Sequence, residues 1–167
     1  QEISFLNFAK RCCHSPREAN LPLTHNHRLG DNMCGLFGGM GHSLNQDDKD
    51  NIALLGVLSK TRGSDSTGIF IVKNGDRRGR KNKGAPHIIR IHKELVPSTS
   101  FFDLPKTKEL LNDSPFIIAG HTRFATHGSV SLPNAHPFHS GHFVGMHNGV
   151  MSQLFDSEKD LTDSAVL

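Results

Sequence analysis

The sequence predicts an α+β fold. Short apolar runs of strand length are mixed with helical patterns, but they do not alternate in the βαβ order that builds a doubly wound sheet. The 167 residues, of which 35% are hydrophobic and 21% charged, fit one globular domain with its own core. These observations favour a single domain that mixes strands and helices without a regular repeat.

Five segments have the composition of strands and are bounded by glycine or polar residues. They are expected at Cys34–Gly39, Thr67–Lys73, Ile88–Lys93, Phe116–Gly120 and His142–His147. Between the second and third strands, the Gly- and Arg/Lys-rich stretch 74–83 is expected to be a solvated hairpin loop, because it has basic residues but no interleaved aromatics.

Two helices are expected between these strands. Asp47–Lys60 has acids in its first turn and apolar residues at Ile52, Leu55 and Leu58, a spacing typical of a helix. Pro105–Asn112 is expected to be a shorter helix. Leu161–Leu167 has the signals of a third helix start, with Thr162 as a cap, but it ends after about one turn. The domain is therefore expected to be truncated at its C-terminal end.

The first 33 residues differ from the rest of the sequence. Residues 1–32 show no sustained period of two or 3.6, and the first methionine is Met33. Two explanations remain open: a propeptide that is removed later, or read-through from upstream of a start at Met33. The second is favoured because no methionine precedes Met33. On either explanation, residues 1–33 lie outside the mature protein and residues 34–167 form the domain.

Composition excludes several classes of protein. A net charge of +3 gives little reason to expect a nucleic-acid partner, and no run approaches the ~20 apolar residues that a membrane span needs. The first residues lack the pattern of a secretion signal. Three cysteines, two of them adjacent, do not make a disulfide framework. We therefore expect a cytoplasmic protein without membrane or nucleic-acid partners.

The 12 histidines raise the possibility of a zinc site. In the densest group, His136, His139 and His142 follow one another at intervals of three residues. This spacing would place them on one face only in a helix. Pro137 and Gly141 argue against a helix there. Zinc or nucleic-acid binding thus remains only an alternative, and no metal is expected. The group comprises His136, His139, His142 and His147.

Cys34 is the candidate nucleophile. A thiol needs a base, and removal of Met33 would leave Cys34 with an α-amine whose ordinary pKa of about 7.7–8.0 suits proton transfer near neutrality. Sulfur and base would then belong to one residue. An isolated cysteine on a strand is more often a structural residue, so this interpretation depends on which other residues accompany Cys34 in the site.

Other polar segments contain residues that could complete a site around Cys34. Arg123 follows an apolar strand, where its guanidinium can grip a carboxylate with two hydrogen bonds. Asn148 and Gly149 can form an oxyanion hole from a side-chain amide and a main-chain N–H, although Asn-Gly is also a common hairpin turn. Asp163 can accept from a ligand amine, although capping a helix is the commoner role. The turn 62–68 can line a site or simply connect two elements.

Five motifs in order resemble the class II, N-terminal-nucleophile family of glutamine amidotransferases across residues 33–167. They are MCGLFG at 33–38, RGSDSTG at 62–68, GHTRFATHG at 120–128, NAHPF at 134–138 with HNG at 147–149, and TDS at 162–164. The residues of these motifs are most similar to those of the glutamine–fructose-6-phosphate amidotransferase branch. The resemblance implies an Ntn-hydrolase-like four-layer αββα sandwich, with two sheets between helices.

The resemblance also implies a role for each matching residue. Cys34 would attack the side-chain amide of L-glutamine and form a thioester, with Asn148 and Gly149 stabilising the oxyanion. The products would be glutamate and ammonia, no cofactor would be needed, and the ammonia would pass to an acceptor-binding synthase domain or protein not present in this chain. The expected substrate-binding residues are Arg123 for the α-carboxylate, Thr126 and His127 around that pocket, and Asp163 for the α-amine.

The sequence departs from the family pattern at several positions. Phe124 stands where sugar-amidating members often have tryptophan, and Ala165 replaces the acid that usually follows the TDS element. The interval between Gly149 and Asp163 is short. These departures leave open a catalytically impaired module of the same fold, which would bind glutamine or a partner synthase without turnover.

Overall fold

The computed structural model describes residues 33–75, 86–126, 128–141 and 143–149. The strands of this part are β1 (Gly35–Met40), β2 (Ser66–Asn74), β3 (His87–Glu94), β4 (Ile117–Arg123), β5 (Phe138–Ser140) and β6 (Phe143–Gly145). The helices are α1 (Gln46–Leu58), followed by a 3₁₀ helix at Ser59–Thr61, α2 (Ser98–Phe101) and α3 (Pro105–Asn112). Helices and antiparallel sheets occur together, so the predicted α+β class is confirmed.

Four strands form an antiparallel sheet in the order β1-β4-β2-β3, and β5 pairs with β6 in a separate small sheet. Strand β4 lies between β1 and β2. Gly35 at the start of β1 is opposite Thr122, and Ser66 at the start of β2 is opposite Arg123. The beginnings of β1 and β2 therefore meet the end of β4 at one edge of the sheet.

One face of this sheet carries the hydrophobic core. Paired residues point to the same face, so Phe37, Gly120 and Ile69 form one row across three strands. A Cβ atom on Gly120 would collide with the Phe37 ring, so the glycine makes room for that ring. Helices α1, α2 and α3 cover this face. The buried cluster comprises Phe37, Ile52, Ile69, Ile71, Phe101, Leu110 and Ile118.

Helix α1 begins at a capping box, in which Asn45 Oδ1 accepts from the Asp48 N–H and Asp48 Oδ2 accepts from the Asn45 N–H, both at 2.9 Å. Of the three apolar residues that indicated this helix, only Ile52 is buried. Leu55 is 48% and Leu58 is 58% exposed. These two leucines are exposed because the buried side of α1 is centred on Ile52 and Gly56. Gly56 packs so closely that a Cβ atom there would collide with the rings of Phe102 and Phe37.

The opposite face of the sheet is partly covered by the segment 134–137. Lys93 Nζ donates to the carbonyl oxygens of Ala135 at 2.6 Å and Pro137 at 3.4 Å. The His136 carbonyl lies against Gly68, where a side chain would not fit. On the same face, Leu36 is 50% exposed, and Met40 and Ile89 are also exposed.

The sequence predictions and the structure differ at several element boundaries. Strand β4 continues to Arg123, so residues 121–123 belong to the sheet rather than to the predicted polar loop. The fifth predicted strand is shorter, at Phe143–Gly145. Short elements α2 and β5 were not predicted. The predicted helix start at 161–167 and most of the loop 74–83 lie outside the described residues.

The hairpin of β2 and β3 and the helix Pro105–Asn112 are as predicted. In the described segments, no helix has the length and apolar character required to cross a bilayer.

Candidate active site

Cys34 immediately precedes β1, and its half-buried side chain reaches the end of β4. The Phe124 N–H lies 3.4 Å from Cys34 Sγ, and Sγ is 3.6 Å from the Phe124 carbonyl oxygen. Burial raises the pKa of the Cys34 thiol, while the Phe124 main chain and the cationic Arg123 act in the opposite direction. At neutral pH the group is therefore a thiol, which needs a base before it can attack a carbonyl carbon.

Two side chains from distant segments converge on the main chain of Cys34. Asn148 Nδ2 donates to the Cys34 carbonyl oxygen at 2.8 Å. Arg62 Nε donates to the same oxygen at 3.2 Å. Gly149 follows Asn148 and is exposed, next to the His147 ring. Asn148, one of the two predicted oxyanion residues, thus contacts the main chain of the candidate nucleophile. Arg62 contacts it too, so the turn that begins there lies at the site as well as connecting two elements.

Arg123, the last residue of β4, is only 2% exposed. Its guanidinium donates to the carbonyl oxygens of Ser129 at 3.1 Å and Gly128 at 3.5 Å. Asn134 Nδ2 also donates to the Ser129 oxygen, at 3.0 Å. Burial lowers the pKa of Arg123, with Cys34 and Asp65 acting against that effect, but a guanidinium remains charged in proteins. A buried cation is therefore held at the end of β4, close enough for its charge to act on the thiol.

The remaining predicted site residues are divided between described and undescribed parts of the chain. Thr126 is exposed, and its N–H donates to the Phe124 carbonyl oxygen at 3.1 Å in the turn after β4. His127 and Asp163 lie outside the described residues. The structure thus brings together Cys34, Arg123 and Asn148, with Thr126 close to Phe124.

A pair of buried histidines lies on the site side of the sheet. His121 and His136 stack with their ring centroids 4.0 Å apart. Burial holds the pKa of His121 well below its ordinary value, and the neighbouring His136 adds to this, although the nearby His147 main chain acts in the opposite direction. His139, by contrast, is exposed on β5. Within the described residues, no three His, Cys, Asp or Glu side chains are grouped so as to hold a metal ion.

We expect the folded domain to lose stability as the pH falls below about 6.5. An unfolded histidine binds a proton near that pH, whereas the lowered pKa of buried His121 keeps it neutral in the folded state. The full stability of the folded state is therefore present above the pKa that His121 has in the unfolded chain. It is lost progressively as the pH falls from there toward the pKa of His121 in the folded state. The slope is at most about 1.4 kcal/mol per pH unit per histidine. Buried His92, whose pKa is also lowered by burial, adds to it.

Urea unfolding between pH 7.5 and 5.5 measures this dependence. The variant His121→Gln should show a shallower pH slope than the wild type. His139→Gln is the matched control, because it makes the same change at an exposed position on β5. Equal slopes for wild type and His121→Gln would contradict the assignment.

Sequence reasoning did not identify three groups that the structure places at the site. These are the Phe124 N–H, the Asp65 carboxylate and the Asn134 amide. Asp65 had a weak signal, since it is an acid in a polar turn that the sequence left undecided between lining and connecting. A main-chain N–H has no signal in the sequence, because every residue except proline carries one.

Comparison with known proteins gives three representative relatives, all named glutamine–fructose-6-phosphate aminotransferase (isomerizing). The protein of Encephalitozoon cuniculi is 33% identical over 130 residues, which are 74% of this chain and 18% of the relative. That of Caldanaerobacter subterraneus subsp. tengcongensis is 34% identical over 135 residues, 78% of this chain and 19% of the relative. That of Staphylococcus aureus is 35% identical over 122 residues, 71% of this chain and 17% of the relative. No family model matches the chain.

The chain belongs to the class II glutamine amidotransferases. The relatives are of the glutamine–fructose-6-phosphate branch, as the wording of the motifs predicted. The chain spans about a fifth of the length of these relatives, with aligned shares of 17% to 19%.

Proposed function

We propose that this domain hydrolyses L-glutamine to glutamate and ammonia through a thioester on Cys34. One observation carries the proposal: Cys34 Sγ is 3.4 Å from the Phe124 N–H, while Asn148 Nδ2 lies 2.8 Å from the carbonyl oxygen of the same cysteine. Groups from three separate segments thus meet at one cysteine, Phe124 at its sulfur and Asn148 at its carbonyl oxygen. Membership of the amidotransferase family supports the choice of glutamine as substrate.

In the proposed reaction, the α-amine of a terminal Cys34 takes the proton from its own thiol. Sulfur attacks the side-chain carbonyl carbon of glutamine, and the negative charge develops on the carbonyl oxygen. Asn148 Nδ2 and the Gly149 N–H stabilise that oxyanion. The tetrahedral intermediate collapses when the amine returns the proton to the leaving nitrogen, which departs as ammonia. Water then attacks the thioester, releasing glutamate and restoring the thiol.

The same proposal assigns glutamine binding to charged and polar groups around the thiol. Arg123 provides the buried cation for the α-carboxylate, because a guanidinium binds a carboxylate through two parallel hydrogen bonds. Thr126 and His127 complete this pocket, and Asp163 accepts from the α-amine. The ammonia passes to an acceptor-amidating domain or partner, which the greater length of the relatives supports.

We further propose that the exposed side of the four-stranded sheet packs against the second sheet of a four-layer αββα sandwich. One face is already covered by helices, whereas the other exposes Leu36, Met40 and Ile89. Apolar residues of this size are normally buried in a packed sheet.

The α-amine mechanism can be tested with two forms of the protein that differ by one residue. In the first, translation starts at Met33, so that removal of the methionine makes Cys34 terminal. In the second, an alanine is inserted between Met33 and Cys34, which keeps the thiol but displaces the amine. Glutamine hydrolysis should be at least about 100-fold slower in the second form, since general-base catalysis contributes roughly 10²–10⁴.

Intact-mass analysis establishes the N-terminus of each form. Alkylation with iodoacetamide checks that the thiol is present in both. Equal rates of ammonia release from the two forms would refute the role of the α-amine.

A further inference from the structure

Asp65 lies in the turn before β2 and makes two hydrogen bonds to the segment that follows β4. Its N–H donates to the Arg123 carbonyl oxygen at 3.0 Å. Its carboxylate oxygen Oδ2 accepts from the Ala125 N–H at 2.7 Å. The two bonds bracket Phe124. A hydrogen bond to a carboxylate is roughly twice as strong as one between neutral groups, so the second contact is the stronger of the two.

Phe124 is the residue whose N–H faces the Cys34 sulfur, at 3.4 Å. It lies one position beyond the sheet, because β4 ends at Arg123, which is opposite Ser66. The sheet therefore fixes the chain only up to Arg123. The hydrogen bond from Ala125 to Asp65 fixes it on the other side of Phe124, and so determines the direction of the Phe124 peptide.

We propose that Asp65 is a positioning residue, which orients the Phe124 N–H toward the sulfur of Cys34. The inference rests on the proposed function, in which Cys34 is the nucleophile. Asp65 acts through the peptide rather than on the substrate.

Electrostatics and positioning predict opposite effects of removing Asp65. The negative charge of Asp65 raises the pKa of the Cys34 thiol, whereas the hydrogen bond from the Phe124 main chain lowers it. If Asp65 acted only as a charge, its removal would make the thiol more acidic. If it holds the Phe124 peptide, loss of the carboxylate oxygen also weakens the contact that favours the thiolate.

Two substitutions separate these effects in the full-length, processed protein. Asp65→Asn removes the charge but keeps an oxygen that can accept from the Ala125 N–H. Asp65→Ala removes both. The rate of Cys34 alkylation by iodoacetamide as a function of pH gives the thiol pKa of each variant without requiring any glutamine turnover. Steady-state kinetics then give kcat and KM for glutamine.

Positioning predicts a higher thiol pKa in Asp65→Ala than in Asp65→Asn. It also predicts a kcat roughly ten-fold or more lower in Asp65→Ala, with KM changed much less, because small misplacements of a reacting group cost rate. Asp103→Ala is the control and should match the wild type, because it removes a carboxylate that is 82% exposed and lies outside the elements of the site. If Asp65→Ala does not fold, Asp65→Ser takes its place, since its shorter side chain does not reach the Ala125 N–H.

Identical alkylation profiles and kcat values for the two Asp65 variants would overturn the inference. Failure of the proposed function has a different result: the wild type would release no ammonia from glutamine. The alkylation profiles would still show whether Asp65 orients the Phe124 peptide, so the two failures are distinguishable.

Discussion

Replacing Cys34 by alanine is expected to reduce glutamine hydrolysis by at least about three orders of magnitude, since removing a nucleophile leaves only catalysis by binding and the oxyanion groups. The side chain is half buried, and its sulfur makes its hydrogen bonds to the main chain of Phe124, which follows β4, so the sheet should remain intact. Ammonia release measures the loss, and circular dichroism confirms the fold.

The binding of glutamine to the Cys34→Ala variant separates hydrolysis from recognition. Calorimetry should still detect glutamine binding, because Arg123 and its supporting loop are unchanged. Arg123→Lys is the companion variant, and it should weaken glutamine binding, because an ammonium cannot reproduce the two parallel hydrogen bonds of a guanidinium. If the wild type bound glutamine but released no ammonia, the chain would instead be a binding module of the same fold.

The second large effect is expected from Gly63→Ala. A Cβ atom on Gly63 would lie 2.5 Å from the Phe124 main-chain nitrogen and closer still to the Arg123 carbonyl carbon. Contacts below 3.0 Å with main-chain atoms require movement. The end of β4 must therefore shift away from the turn and take the Phe124 N–H from the Cys34 sulfur. We expect a loss of about 1–3 kcal/mol in the free energy of unfolding and about 100-fold in kcat.

Gly145→Ala is the matched control for this substitution. Gly145 lies in β6, and a Cβ atom there would have no neighbour within 4 Å. The control has the same change in composition and in the entropy of the unfolded chain, but no collision. Urea unfolding and glutamine hydrolysis of the two variants give the comparison. A Gly63→Ala protein as stable and active as the Gly145→Ala protein would show that the turn tolerates a side chain.

The main elements of the fold were predictable because their patterns are long enough to recognise. The run at 67–73 has an uninterrupted apolar centre, the run at 88–93 has three isoleucines in six residues, and Pro105 marks the first turn of a helix. By contrast, α2 has 4 residues and β5 has 3, which is too short for a period to appear. The buried side of α1 could not be predicted either, because its central contact is made by Gly56, a residue without a hydrophobic side chain.

The convergence of Cys34 with Arg123 was predictable only through the resemblance to a family. Nothing in either segment alone indicates that the start of β1 lies opposite the end of β4. Asp65 illustrates what remained beyond prediction. Its partner is a main-chain N–H, 60 positions away in the chain, and the contact exists because a turn packs against a strand end. Tertiary contacts of this kind have no local pattern in the sequence.

The position of β1 bears on the proposed removal of Met33. Its ladder begins at Gly35, so the peptide bond between Met33 and Cys34 lies outside all the hydrogen bonds that join β1 to β4. Met33 itself is 43% exposed. The removal of Met33 that the proposed function requires therefore breaks none of the hydrogen bonds of the described sheet. The proposed maturation step can expose the amine of Cys34 while β1 keeps its place beside β4.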